Sequence, residues 1–297
     1  MPESCRFRAT REYLCEPSRA EEIRDAFLSG AWKPRDAEAV LLSRLGASAE
    51  APAPSRKPYA MVQGGLAVVP VVGVMGKGPS KLTETDTVET RRRVRAAAAD
   101  ADVRGIMLYV DSPGGEAAGT AELAADVAAA GKRKPVHAYI EDLGASAAYW
   151  VASQADRVAQ NGTALVGSIG TIAGLVDDSE QAKMEGLKIH FVTAAPKKTV
   201  GAWGQPVTEE DLAYVRGLLA PIDAAFHAAV RTGRGMTEKQ LERVIDGSVH
   251  RGQAAVDLRL TDGIETWDEA MQALERAASG RAARHNARAW LAAQDGS

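Results

Sequence analysis

Hydrophobic and polar positions fall into a repeating order once the first quarter of the chain is passed. Residues 66–75, Leu-Ala-Val-Val-Pro-Val-Val-Gly-Val-Met, are apolar at almost every position, the pattern of a strand buried on both faces. Residues 87–99 carry apolar side chains at helical spacing. The compact run 105–110, Gly-Ile-Met-Leu-Tyr-Val, predicts a second buried strand, followed by a small-residue helix over 117–130 and a strand over 135–140. A helix from about residue 145, short strands near 157–159 and 165–172, a helix around 179–185 and a strand over 188–192 continue the alternation. Repeated β-α-β order of this kind predicts an α/β fold, a mainly parallel sheet with right-handed crossovers covered by helices. Beyond residue 209 the pattern turns helical, with a long amphipathic segment over 209–230 and shorter ones over 237–244 and 252–256.

The two ends read differently. Residues 1–46 form a helical segment by pattern, with helical spacing over 18–28 and again over 36–45. Residues 47–58 are rich in Ala, Pro and Ser and read as a linker. The expected layout is therefore an N-terminal helical segment (1–46), a linker (47–58), a catalytic-sized domain (59–267) and an Ala/Arg-rich helical tail (268–297) that serves as a cap or an oligomer contact.

Composition narrows the function classes. With 45% hydrophobic and 25% charged residues the chain has the make-up of a soluble globular protein. A net charge of -3 without long single-sign runs gives no nucleic-acid or membrane-surface signature. Cys5 and Cys15 lack metal-ligand spacing and read as reduced thiols. The start has no apolar signal core, and the most apolar run is too short and too interrupted to span a bilayer, so a cytoplasmic protein made without export is expected.

Three short segments carry chemistry. Asp111-Ser-Pro-Gly-Gly115 places two glycines between a buried strand and a helix, where backbone N–H groups can face a cleft and meet developing negative charge, or simply make a tight turn. Gly144-Ala-Ser-Ala-Ala-Tyr149 puts Ser146 among small residues at the start of a helix, a nucleophile position at the carboxyl edge of the sheet or an ordinary N-cap. It is not the Gly-x-Ser-x-Gly elbow, because residue 148 is Ala. None of the five histidines (His137, His190, His227, His250, His285) lies in a Gly-rich loop, so no local signal supports a Ser-His-Asp triad. A lysine in a water-poor cleft is another route to a base, and Pro196-Lys197-Lys198-Thr199 supplies two candidates, or a solvated basic loop.

In order and spacing these segments resemble peptidase family S49, the signal-peptide-peptidase A type with its phage capsid-protease relatives. The resemblance runs from about residue 65 to 274. It includes Val68-Val-Pro-Val-Val-Gly73, the two Gly/Ser motifs, Val166-Gly-Ser-Ile-Gly170, the lysine pair, Arg231-Thr-Gly-Arg-Gly235, Asp246-Gly-Ser-Val-His-Arg-Gly-Gln-Ala-Ala255 and Leu260-Thr-Asp-Gly263. It implies a ClpP/crotonase-like fold and a serine endopeptidase with a Ser-Lys dyad. Ser146 matches the nucleophile, Gly114 and Gly115 the oxyanion hole, and Ser168 an auxiliary serine that orients the lysine. Thr199-Val-Gly201 and Gln205-Pro-Val207 keep the family's register if Lys198 is the base, with Lys197 the alternative. The chain departs from the family's usual residues at Ala147-Ala148 and at Ala194-Ala195-Pro196, where the proline stiffens the approach to the lysine. The resemblance further implies no cofactor and no metal, a ring-like homo-oligomer, and polypeptide substrates such as capsid or scaffold proteins, in the cytoplasm or within a phage prohead. Alternatives are a bacterial signal-peptide-peptidase-like degradation enzyme, a crotonase-type acyl-CoA enzyme and a non-catalytic capsid-assembly protein.

Overall fold

A computed structural model of the chain describes residues 13–15, 57–62, 64–78 and 83–295, with 13–15 and 284–295 as backbone. The helices expected over 18–28 and 36–45 lie outside the described residues. In chain order the elements are β1 (Tyr13–Cys15), β2 (Ala60–Val62), β3 (Leu66–Gly76), β4 (Thr85–Asp86), α1 (Thr87–Ala99), β5 (Gly105–Glu116), α2 (Thr120–Arg133), β6 (Val136–Ala145) and α3 (Ala147–Ala152). They continue with β7 (Arg157–Gln160), β8 (Leu165–Gly167), α4 (Ser179–Met184), α5 (Glu209–Gly233), α6 (Glu238–Leu241), β9 (Val249–Arg251), α7 (Gly252–Asp257), β10 (Gly263–Ile264) and α8 (Trp267–Asp295).

The sheet runs β10-β7-β6-β5-β3-β2, and every neighbouring pair from β10 to β3 is parallel. This is the mainly parallel α/β architecture expected from the alternating pattern. Its strands read as apolar runs because both faces are covered. Val69, Val71, Leu108, Val110, Ala138 and Ile140 face one layer, packed with Val94, Leu123, Val127 and the residues of α3. Their strand neighbours Val68, Val72, Met107, Tyr109 and Tyr139 face the other, where Trp267, Ala270 and Leu274 of α8 cover them. Trp267 sets its ring edge-on to Tyr109 and Tyr139, with centroids 5.7 and 5.5 Å away. The first turns of α8 are thus part of the core.

An ion pair between the buried Arg234 and the partly exposed Asp262 closes the C-terminal part of the sheet. Arg234 donates twice to Asp262, at 3.0 and 2.7 Å, and once to the Arg259 carbonyl, while Asp262 also accepts from the Val158 amide. Desolvation alone would raise the Asp262 carboxyl, but the Arg234 guanidinium outweighs it and holds the group below its ordinary range. Two of the sequence motifs, Arg231-Thr-Gly-Arg-Gly235 and Leu260-Thr-Asp-Gly263, therefore meet in a structural clamp.

Several boundaries differ from the pattern-based expectation. The second strand does not end at Val110 but runs to Glu116, and the following helix starts at Thr120, after Gly119 turns the chain with φ 84°. The strand expected over 165–172 stops at Gly167. No strand forms over 188–192: these residues are irregular, and Phe191 and Val192 are exposed. The local pattern Lys-Ile-His-Phe-Val suits a strand, but a strand needs a partner edge and none of the described strands pairs with it.

Candidate active site

The site is assembled where β3, β5 and β6 all lose their regular pairing at the same level. β5 bulges against β3, with Ser112 and Pro113 standing opposite the single residue Gly73 (φ 69°), between the register pairs Val72–Asp111 and Val74–Gly114. Thr85 braces β3 just before Gly73, its hydroxyl donating to the Val72 carbonyl and accepting from the Val72 amide. β5 shifts register against β6 between Val110 and Ser112. The buried Ser112 hydroxyl donates to the Gly73 carbonyl at 2.6 Å and accepts from the Gly114 amide at 3.1 Å. The distorted strands thereby fix Gly114 (φ 94°) and Gly115 against β3. A Cβ on Gly115 would lie 2.0 Å from the Met75 carbonyl oxygen, so only glycine fits there.

Ser146 follows directly from β6. Its backbone (φ 55°, ψ -123°) lies outside the ordinary regions for a residue with a Cβ, a strain of order 1–3 kcal/mol of the kind that concentrates at functional sites. The strain is held from three directions. The Ser146 amide donates to the Gly167 carbonyl, its own carbonyl accepts from the Trp150 amide, and all six residues of α3 are buried. Within α3, Trp150 stacks on Phe226 at 4.8 Å and the Tyr149 hydroxyl donates to the Leu260 carbonyl. Ala147 is the first helical residue of α3, so its N–H has no acceptor within the helix.

Ser168 is Ser146's neighbour across a parallel register. β6 and β8 pair Ala145 with Gly167, and the next residue on each strand is a buried serine with positive φ, 55° at Ser146 and 51° at Ser168. The Ser168 amide donates to the Ser248 carbonyl. Beside it, Asp246 accepts from the Ser248 hydroxyl at 2.5 Å, and that hydroxyl lies 3.1 Å from His250 Nε2. The motif around Asp246 thus buttresses Ser168, a role the linear sequence does not disclose.

The lysines sit elsewhere. Both lie on a 3₁₀ turn, Pro196–Thr199, within an arm between β8 and α5. Lys197 is engaged: its amine is 2.5 Å from Glu210 and 5.6 Å from the centre of the Tyr214 ring. Lys198 is exposed, and among the described residues no hydrogen bond or ion pair joins its amine to Ser146 or Ser168. Ser146, Ser168, Gly114 and Gly115 are brought together by the sheet, and the lysine is not.

A cavity of about 320 Å3 lies elsewhere, lined by Tyr139, Glu141, Asn161, Glu265 and Glu269 among others, and none of the motif residues reaches it. Among the described residues no group of three or more His, Cys, Asp or Glu side chains is gathered as a metal site requires. Among them, too, no helix is long and apolar enough to cross a membrane.

A strained, buried serine and adjacent strand-turn glycines thus meet at the end of a parallel sheet. Comparison with known proteins supplies the family. The profile of peptidase family S49 matches residues 128–280, just over half the chain, and the chain belongs to that family. A protein assigned as a protease in Methanocaldococcus jannaschii is 31% identical over 61% of this chain and 58% of its own length. The head-tail preconnector protein of Enterobacteria phage P21 is 28% identical over 73% of this chain and 44% of its own. Capsid assembly protease C of Escherichia phage lambda is 27% identical over 82% of this chain and 56% of its own. The chain spans about half the length of these curated relatives.

Proposed function

We propose that the chain is a serine endopeptidase acting through a Ser146–Lys198 dyad. The observation that carries this reading is the strained, buried Ser146 held at the sheet's edge beside Gly114 and Gly115. Lys198 as a neutral amine takes the Ser146 proton, and the Ser146 oxygen adds to a peptide carbonyl to form a tetrahedral oxyanion. Collapse breaks the C–N bond as the protonated lysine gives its proton to the leaving amine. Water then attacks the acyl-enzyme, gives its proton back through the lysine, and frees the acid. The Gly115 amide and the Ala147 amide, one from each side of Ser146, are the oxyanion donors this backbone favours. The Gly114 amide is turned to Ser112 and positions the loop. Ser168 orients the incoming lysine.

Lys198 is favoured over Lys197 because Lys197 is already committed to Glu210 and the Tyr214 ring. A lysine acts as a base only where water is excluded, so the exposed arm must be covered when the enzyme works. Ile172, Val176, Met184, Phe191 and Val192 are exposed along that arm, and Tyr214 and Leu218 on the adjoining half of α5. A second copy of the chain, in a ring-like homo-oligomer, is the proposed cover. By resemblance to the two phage proteins, the proposed substrates are capsid or scaffold polypeptides, handled in the cytoplasm or the prohead.

The test is mass spectrometry of casein after incubation with the wild type, Ser146→Ala, Lys198→Met and Lys197→Met. Peptides are expected from the wild type and Lys197→Met, with rates lower by about a thousandfold or more in the other two, as for other nucleophile–base pairs. Equal cleavage by wild type and Ser146→Ala would refute the nucleophile.

A further inference from the structure

A strand has two edges, and β5 changes partner along one of them. As far as Ser112, β3 lies on one edge and β6 on the other, the last β6 pair being Ser112 with Gly144. Beyond that level β3 continues, pairing Val74 with Gly114 and Met75 with Gly115, whereas β6 ends at Ala145 and leads into Ser146. The edge of Gly114–Glu116 on the Ser146 side is therefore vacated. β1 fills it: Tyr13, Leu14 and Cys15 pair antiparallel with Glu116, Gly115 and Gly114. Its direction carries the chain from Glu116 towards the level of Ser112 and Gly144, and so towards the nucleophile.

This edge is where, on the proteolytic reading above, an extended polypeptide would add as a strand with its scissile carbonyl beside the glycine amides. One edge accepts one strand at a time. We propose that Tyr13–Cys15 is a built-in occupant of the substrate edge, a substrate-like strand that holds the site closed until a polypeptide displaces it. The partner of this surface is then the chain's own N-terminal segment, and the inference rests on the proteolytic assignment. A three-residue pairing is short enough to exchange with a longer substrate strand, which suits a reversible gate and not a permanent block.

The register names the experiment. Tyr13 and Glu116 are directly opposed, and opposed residues of an antiparallel pair bring Cβ atoms to about 5 Å, close to disulfide reach. In a Cys5→Ser, Cys15→Ser background, Tyr13→Cys with Glu116→Cys is expected to form an intrachain disulfide on mild oxidation, read as a mass change. The oxidised protein is expected to cleave casein at least about tenfold more slowly than the same protein after dithiothreitol. A second variant, Leu14→Pro with Cys15→Pro, removes the bonded N–H whichever way the strand alternates. It is expected to lower KM about tenfold with kcat retained, since the competent fraction rises. Failure of the cysteine pair to close, or equal rates in both redox states, or an unchanged KM in the proline variant, would overturn the proposal. A pair that closes in a chain inactive in both states and in the proline variant overturns the proteolytic reading, and the inhibitory role with it.

Discussion

Gly115 shows how tightly one residue is specified. Its missing side chain lets β5 approach β3 so closely that an added Cβ would stand 2.0, 2.6 and 2.8 Å from the Met75 carbonyl oxygen, amide nitrogen and carbonyl carbon. These are main-chain atoms of a central strand and cannot swing aside. Gly115→Ala should therefore destabilise the fold by about 3 kcal/mol in urea unfolding and strip most of the peptidase activity with it. Gly217→Ala is the matched control. It lies on α5 with nothing within 4 Å of the new methyl, and should be stabilising by up to about 1 kcal/mol. Equal stability of Gly115→Ala and wild type would mean that β3 and β5 are not locked here as described. The need for glycine at 114 and 115 was legible in the sequence, because two glycines between a strand and a helix point to unusual backbone. That the Gly114 amide turns to Ser112 was not, since the Ser112 hydroxyl is itself held by the Gly73 carbonyl of another strand.

At the scale of elements, the arm between β8 and α5 carries most of the exposed large apolar side chains among the described residues. Asp178 accepts from the Gly204 amide and Asp177 from the Val207 amide, so the arm is tied to itself. Ala182, Asp178 and Ser179 are buried, but Met184 and Val192 are almost wholly exposed. The half of α5 that carries Phe226 and Val230 is packed into the core, whereas the half bearing Tyr214 and Leu218 is not. Exposed apolar surface of this extent fits the proposed homo-oligomer, in which a second copy would cover it. Light scattering of the purified protein should give an oligomer mass, and Val176→Asp with Val192→Asp should shift it towards the monomer and lower activity together. A monomeric wild type with full activity would show that the arm is covered by its own chain. The same arm explains why the strand expected over 188–192 failed. Periodicity reports which residues seek burial, and it does not say whether the burying surface belongs to the same chain.

Across the whole molecule, the sheet sets how stability responds to pH. His137 lies in β6 between Met107 of β5 and Arg157 of β7. Burial, with the Arg157 charge adding to it, pushes the imidazole down from 6.5 to about 4. Between those values the unfolded chain takes up a proton that the folded chain refuses, so this contribution is intact above 6.5 and is lost as the pH falls towards 4. Urea unfolding at about pH 7.5 and about pH 5 should show a loss of about 2 kcal/mol from this group. His137→Leu should lack that part of the slope. An identical slope in the variant would place the pH response on the carboxylates instead.

The alternation of apolar runs and helical periods determined the layered α/β order by itself. Burial on both faces of a parallel sheet writes itself into local composition, so the strands over 66–75 and 105–110 were recognisable without any partner in view, although the second runs on to Glu116. The small residues around Ser146 were legible for the same reason, because a strained turn between a strand and a buried helix admits few side chains. Tertiary structure alone decided the rest: that β6 leaves the edge of Gly114–Glu116 open, that Tyr13–Cys15 takes it, and that Ser168 stands beside Ser146. It also decided that Lys198 stands apart from them on an exposed arm. These are relations between segments far apart in the chain, fixed by register and strand edges, and no local pattern of hydrophobic and polar residues encodes which edge a strand will find.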